Sequence, residues 1–357
     1  MNLKNTVPSA YYIFCTCLLT IVLNTNFTSG QTNAHGAVNV KIITDEAVAV
    51  LNIIHKKNEG KSIADSDWQA LYNSEGFRRL KKREAAMHVP FSDDDFKSFL
   101  LSGKLDNHLN ALEKTLAQWK QANINNAALR ALAYLPDSST IHAKIYPVIK
   151  PKKNSFVFEV NTDPAIFLFI DTAKTKEQFE NTMAHELHHI GFAENCKEAG
   201  SENDTSAKNK VLLWISAFGE GFAMLAAAGG PDIHPHKYSS PEDRARWDKD
   251  MANFNSDLKK VDDFFTEVLD YKLAGNKIEE TGSSFFGIQG PWYTVGWKMS
   301  VTIEKVFGRK ELIKCISNQK LLLPTYNKAA KEYNNKTGGN LALWSESLIK
   351  RISEINN

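Results

Sequence analysis

The segment MAHELHHIGF, residues 183–192, places three histidines and a glutamate within five consecutive positions. His185 and His189 are four residues apart, so on an α-helix they lie about 40° apart around the axis and their imidazoles can converge on one point. Glu186 lies one position further round the helix, where it can reach a water at that point without being a ligand. The pattern His-Glu-x-x-His is typical of two zinc ligands and a general base.

The alternative is a helix that carries histidines on an exposed face and binds no metal. Four apolar residues in the same stretch argue instead for a helix with a packed side: Phe179, Met183, Leu187 and Ile190. Histidines between buried flanks need partners for their ring nitrogens, because an unpaired polar group in the interior is costly. His188 lies about 60° from His185 and could ligate only by excluding His189. We therefore place His188 behind the ligands or at the surface.

A catalytic zinc ion needs a third protein ligand and one open position for water. The His-x-x-Gly-x-x-His extension is excluded because Asn195 stands where its last histidine would be, and Glu194 follows the first two ligands too closely. His234 and His236 remain open, although they lie in a proline-containing loop. Glu220 is the favoured candidate, because a carboxylate within an otherwise apolar helix needs a cation if it is buried. A surface position for Glu220 is the alternative.

Two short apolar segments precede the histidines. They are SFVFEVN, 155–161, and AIFLFID, 165–171, and the turn between them contains Pro164. This pattern predicts a β-hairpin or two neighbouring strands. The histidine helix would follow directly, with Thr175 as its N-cap and Gly191 at its end.

The candidate third ligand lies in a second apolar helix, KVLLWISAFGEGFAMLAAAGG, which covers residues 210–230. The helix is predicted to stop at the Gly229-Gly230-Pro231 sequence. Three small residues adjoin Glu220 in this helix: Gly219, Gly221 and Ala223. We expect them to let the helix approach the histidine helix closely.

The rest of the chain is predicted to be mainly helical, including the whole stretch from about residue 40 to 145. The predicted helices cover 45–57, 66–87 with Ser66 as N-cap and an interruption at Gly76, a segment after the capping Ser92, 105–122, 240–273 and the C-terminal region. Residues 281–291 are predicted to form turns. The fold class is therefore α+β, predominantly helical, with a small β-sheet.

The first thirty residues have the three-part plan of a secretory signal peptide. One lysine precedes the uncharged run from Tyr11 to Leu23, and small residues precede a cleavage site after Gly30. An uncleaved membrane anchor is the alternative, although spanning helices need about 20 apolar residues. The protein is thus expected to be exported, periplasmic or secreted, with no stable membrane span after cleavage. Cys196 and Cys315 would then remain, either as one disulfide or as two separate thiols.

The charge composition argues against a nucleic-acid-binding protein. The chain of 357 residues has 43 Lys and Arg against 41 Asp and Glu, a net charge of +2, and it has no basic stripe. A nucleic-acid partner is therefore not expected. We divide the chain into a signal peptide at 1–30, an N-terminal helical region at 31–145 and a catalytic domain at 146–357. The sequence does not indicate an oligomeric state.

The spacing of these residues resembles that of a known enzyme group. AHELHH is followed, 31 residues after His189, by GEGFA, which resembles the gluzincin arrangement of zinc metallopeptidases. The stretch 75–84 and the YTVGWKM segment are similar to a bacterial family of proposed zinc-dependent peptidases. This resemblance implies a zincin-like core in which His185, His189 and Glu220 hold one zinc ion. It also implies that an edge strand, here 165–171, binds the substrate backbone.

The resemblance implies an exported peptidase that cleaves peptide or protein substrates. Glu186 would be the general base for a zinc-activated water. Tyr293 is our candidate for stabilising the oxyanion, because similar families place a tyrosine at this point. A core aromatic beside Trp292 and Trp297 is the alternative for Tyr293. The rival function is a non-catalytic zinc-containing binding protein that recognises partners through its helical N-terminal region.

Overall fold

The computed structural model describes residues 38–195 and 206–354. Within these ranges the protein is mostly helical and contains one four-stranded sheet. The predicted signal peptide at 1–30 lies outside the described residues, and so does Cys196. The Cys196–Cys315 disulfide therefore stays a prediction; the Cys315 thiol is buried.

The described part of the chain contains four strands, which form the sheet, and sixteen α-helices. The strands are β1 (Val38–Ile42), β2 (Ile141–Val148), β3 (Phe156–Phe158) and β4 (Ala165–Phe169). The helices that come before β2 in the chain are α1 (Asp45–Asn58), α2 (Asp65–Tyr72), α3 (Glu75–Ala86), α4 (Asp93–Leu101), α5 (Leu109–Lys120) and α6 (Ile124–Leu132). The later helices are α7 (Lys176–Asn195), α8 (Ala207–Ile215), α9 (Gly219–Ala228), α10 (Pro241–Ala252), α11 (Phe254–Leu269), α12 (Asn276–Ser284), α13 (Pro291–Phe307), α14 (Arg309–Ser317), α15 (Leu322–Thr337) and α16 (Glu346–Ser353).

The sheet has the strand order β1-β2-β4-β3. β3 pairs antiparallel with β4, with Phe156 opposite Phe167, which confirms the predicted pairing of these two segments. β2 pairs parallel with β4 on its other side, with Lys144 opposite Ala165. β4 is therefore an interior strand, and the expectation that 165–171 forms an edge strand is wrong. The physical reason is β2, which covers the edge of β4 that would otherwise be free.

The prediction of helix throughout 40–145 is wrong at both ends of that stretch, because β1 and β2 lie there. The helices between them agree better with expectation. α1 matches the predicted 45–57, and the Ser92 side chain accepts a hydrogen bond from the Asp95 amide as the N-cap of α4. Residues 281–291, predicted as turns, include the end of α12 and the start of α13.

The predicted helix 66–87 is two helices. The break falls at Asn73 and Ser74 rather than at Gly76, because the Ser74 hydroxyl accepts a hydrogen bond from the Phe77 amide and starts α3. The N-cap of α2 is Ala64, not Ser66. Gly76 is a close-packing position instead, since a β-carbon there would lie 2.9 Å from Cβ of Glu46.

The described residues form two compact units. One contains residues 39–125 and 142–180, and its core lies between the sheet and α3 around Leu80, Tyr146 and Phe167. The other contains residues 126–141 and 181–354 as far as they are described, and aromatic rings such as Phe218, Trp292 and Trp344 fill its core. The predicted division at residue 145 is not tested by these units and stays a prediction.

One helical stretch in the described residues is long and apolar enough to cross a membrane. It is Ala207–Ala228, which comprises α8, a short 3₁₀ turn and α9, and 78% of its most apolar 18 residues are buried inside the protein. A buried core helix has the same composition as a spanning one, so this stretch is weak evidence for a membrane segment.

Candidate metal centre

The histidine motif lies in the middle of α7, a helix of 20 residues. Its capping agrees with expectation, because the Thr175 hydroxyl accepts from the Gln178 amide while the Gln178 side chain accepts from the Thr175 amide. Gly191 does not end the helix. A β-carbon at Gly191 would lie 2.3 Å from Cδ1 of Leu135, so this glycine lets α7 pack closely against the Leu135 side chain.

The packing of α7 leaves one face for polar groups. The four apolar residues that the sequence assigned to its packed side are all fully buried: Phe179, Met183, Leu187 and Ile190. The imidazoles of His185 and His189 stay partly exposed, with 16% and 13% of each side chain accessible. The two rings are therefore not fully sealed from solvent.

Glu220 lies in the first turn of α9 and is only 8% exposed, so its surface alternative is excluded. The adjacent Gly221 does not face the histidine helix as expected. A β-carbon at Gly221 would lie 2.0 Å from the Trp297 amide nitrogen, and one at Gly296 would lie 2.7 Å from the Phe218 carbonyl oxygen. These two glycines bring the backbones of α9 and α13 together, which fixes the turn that carries Glu220.

Three side-chain atoms from α7 and α9 converge on one point. Nε2 of His185 lies 3.0 Å from Nε2 of His189, and Oε2 of Glu220 lies 3.1 Å from the first and 3.3 Å from the second. Ligand atoms about 2.0–2.1 Å from a tetrahedral zinc ion are roughly 3.3 Å from one another. The three atoms thus have the separations expected of three zinc ligands, and within the described ranges no other group of His, Cys, Asp or Glu meets this test.

The chemistry of these donors also fits zinc. Two imidazole nitrogens and one carboxylate oxygen are a donor set that zinc favours in catalytic sites, where a fourth position stays open. Structural zinc sites have four protein ligands and are usually rich in cysteine, which this group lacks. The arrangement therefore fits a catalytic rather than a structural ion.

The pKa values of Glu220 and His189 reflect how close the two side chains are. Burial alone would raise the pKa of Glu220, but the adjacent His189 and His185 outweigh it and hold that pKa well below its usual range. Burial alone would lower the pKa of His189, but the charge and hydrogen bond of Glu220 raise it above its usual value, with a smaller contribution from Glu186. A carboxylate that stays ionised in a buried position is ready to ligate a cation.

Glu186 lies beside these ligands and is partly exposed. Its charge acts on His189, whereas the ligand atoms that converge on one point belong to His185, His189 and Glu220 alone. A carboxylate near the ligands but outside the ligand set is the arrangement that a general base requires.

The remaining histidines near this region have other surroundings. His188 is fully buried, so the surface alternative for it is wrong, and burial, together with His189 and His185, lowers its pKa to about 3. His234 Nε2 lies 3.0 Å from Asp248, and His236 Nδ1 lies 2.9 Å from the Ser239 hydroxyl. Glu220, rather than either of these two histidines, joins His185 and His189 in the described group.

Tyr293 lies in the first turn of α13 and is half-buried. Its ring is in edge contact with Phe286, with centroids 6.4 Å apart. The role of Tyr293 as an oxyanion stabiliser stays a prediction.

Two residues around the site were not found from the sequence. Gly296 could have been suspected, since a glycine inside a helix costs about 1 kcal/mol and often marks a close approach of backbones. Arg130 on α6 gave no signal, because an arginine on an amphipathic helix is ordinary. Its side chain contacts both α7 and α9.

The sequence model of a family described as "Putative zinc dependent peptidase (DUF5700)" matches residues 49–335, which is more than half of the chain. No curated protein and no solved structure matches.

Proposed function

Because the chain belongs to this zinc-dependent peptidase family, we propose that it is an exported zinc peptidase whose ion is held by His185, His189 and Glu220. The observation that carries this proposal is the convergence of three ligand atoms within 3.0–3.3 Å of one another. The family match supports hydrolysis of peptide bonds, and the geometry supports the assignment of individual residues to that chemistry.

Each residue has a distinct task in the proposed mechanism. A zinc ion held by His185, His189 and Glu220 would act as a Lewis acid, which would lower the pKa of a bound water toward neutrality and polarise a carbonyl. The carboxylate of Glu186 accepts the proton of the attacking water. It then delivers that proton to the amine that leaves when the peptide bond breaks. Glu220 would be the anionic ligand of the ion, and in the structure His189 and His185 hold the pKa of its carboxyl well below its usual range.

The oxyanion that forms at the substrate carbonyl needs a hydrogen-bond donor from the protein. Tyr293 is proposed for this task, and the packing of α13 supports it. Tyr293 precedes Gly296 by one helical turn, and Gly296 contacts the backbone beside Glu220. Trp292, next to Tyr293, packs on Phe218 with ring centroids 5.0 Å apart. These contacts keep the start of α13 near the turn that carries Glu220.

Export is part of the proposal because the sequence of residues 1–30 has the plan of a signal peptide. The rival function is a zinc-containing binding protein without catalysis, and such a protein needs no general base at Glu186. The presence of a carboxylate beside the ligands favours the peptidase.

The decisive variant is Glu186→Gln, which removes the base and keeps the size of the side chain. We expect it to bind as much zinc as the wild type and to cleave a mixed peptide library roughly 10²- to 10⁴-fold more slowly. Glu194→Gln is the matched control, because Glu194 lies exposed on the same helix and bonds to Thr140. The control should cleave at the wild-type rate.

Two results would contradict the peptidase. If Glu186→Gln cleaves as fast as the wild type, Glu186 is not the base. If the zinc-loaded wild type cleaves no peptide in the library, the binding protein is the better account.

A further inference from the structure

Arg130 on α6 contacts both of the helices that carry the candidate ligands. Its guanidinium donates a hydrogen bond to the carbonyl oxygen of Ala227 near the end of α9. The same nitrogen lies 3.5 Å from the side-chain oxygen of Asn181 on α7. One side chain therefore links α7 to α9.

The two contacts lie on the helical segments that matter for the metal centre. Asn181, His185 and His189 recur at intervals of four residues, so they form one stripe along α7. Ala227 follows Glu220 by seven residues, which is two turns of α9. The bridge made by Arg130 is thus one turn from the first ligand on α7 and two turns from the ligand on α9.

The contact with α9 is well suited to a cation. The last carbonyls of a helix have no partner within it, and a positive charge there interacts favourably with the helix dipole. α9 ends at Gly229, which adopts a left-handed conformation with φ of 87°. A β-carbon at Gly229 would lie 3.5 Å from Cδ of Arg130, so the stem of the arginine lies directly against this end of the helix.

We infer that Arg130 is a positioning residue, which sets the separation of α7 and α9 so that the three ligand atoms are arranged for zinc before the ion arrives. This inference rests on the proposed function, because it assumes that His185, His189 and Glu220 are the ligands. A metal site needs its donors held within about 0.5 Å of their working positions. A link between the two ligand helices is a direct way to hold them.

The test is the zinc affinity of Arg130→Met, measured by competition with a chromophoric chelator. Partners that orient metal ligands are typically worth 10- to 100-fold in metal affinity, and Arg130 acts at one remove from the ligands, so we expect a loss of about tenfold. The visible spectrum of the cobalt-substituted protein should change as well, since it reports the geometry of the ligands. Arg130→Lys should recover part of the affinity, because an ammonium can still reach the Ala227 carbonyl.

The control is Arg79→Met, which removes a buried arginine whose ion-pair partner Glu159 lies outside the metal centre. It should keep the wild-type zinc affinity even though it lowers stability. If Arg130→Met does not fold, Asn181→Ala removes the other end of the bridge and should lower the affinity by a smaller factor.

The possible results separate this inference from the proposed function. Wild-type affinity and an unchanged cobalt spectrum in both Arg130→Met and Asn181→Ala would overturn the inference and leave the peptidase proposal intact. An equal loss of affinity in Arg79→Met would also overturn it, because the effect would then follow stability alone. A wild-type chain that takes up no zinc would overturn the proposed function and this inference together.

Discussion

Buried polar groups occur in both compact units, but they are arranged in different ways. In the unit that contains the sheet, Arg79 is surrounded by opposite charges and a hydroxyl. Its guanidinium lies 2.6 Å from Glu159 and 3.0 Å from the Asp163 carboxylate, and it donates to the Tyr146 hydroxyl at 3.2 Å. Each of these charges has a partner of the opposite sign within the protein.

The group on α7 and α9 instead brings together three atoms that can each bind a metal ion. Two imidazole nitrogens and a carboxylate oxygen face one another, and all three atoms carry lone pairs that can bind a metal. A site of this kind is completed by a cation from outside, whereas the Arg79 network is complete as it stands. Convergence of like donors, rather than burial or charge, is what distinguishes a candidate metal centre from a structural ion network.

Substitution of Arg79 should separate stability from metal binding. Arg79→Met leaves Glu159 with Lys82 as its remaining cation, and loss of one partner of a buried pair costs about 3 kcal/mol. We expect that decrease in the free energy of unfolding, measured by urea denaturation, with an unchanged zinc content per folded chain.

The reciprocal variant, Glu220→Ala, should lose its zinc, which is measured by elemental analysis. If Glu220→Ala keeps a full complement of zinc, Glu220 is not a ligand, and the group on α7 and α9 is not the metal centre that distinguishes it from the Arg79 network.

A smaller effect on stability is expected from Lys150 in the unit that contains the sheet. Unlike Arg79, this buried lysine has too little negative charge around it to offset the cost of burying its own charge. Burial, with Arg83 and Lys152, lowers its pKa to about 8, and Glu84 and Glu46 offset this only in part. The folded pKa lies below the unfolded value of about 10.4, so between these values the unfolded chain binds more protons and stability rises with pH.

The pH effect can be measured by urea denaturation at pH 7.5 and 9.5. Relative to Lys150→Met, the wild type should gain about 2 kcal/mol in the free energy of unfolding over this interval. If the difference in the free energy of unfolding between the wild type and Lys150→Met does not change with pH, the pKa of Lys150 is not lowered in the folded protein.

The centre of the site could be predicted from the sequence because its signals are local. His185 and His189 are one helical turn apart, and Glu220 is an acid within an apolar helix, so both signals are read from a few neighbouring residues. The strand before the motif and the start of the helix that carries it were also predicted, because an apolar run and a capping threonine are short-range features.

The parts that could not be predicted depend on contacts distant in the sequence. β2 was not predicted because it is stabilised by pairing with β4, whose first paired residue, Ala165, lies 21 residues after Lys144 in the chain. The bridge from Arg130 reaches Ala227, 97 residues further along the chain. Gly191 was misread for a related reason. A glycine that ends a helix and one that permits close packing look alike until the neighbouring element is known.

The most direct test of the metal centre is anomalous scattering at the zinc absorption edge from crystals grown with zinc. We expect one strong peak per chain, about 2.0–2.2 Å from Nε2 of His185, Nε2 of His189 and a carboxylate oxygen of Glu220. A peak at other residues, or none at this point when zinc is in excess, would contradict it.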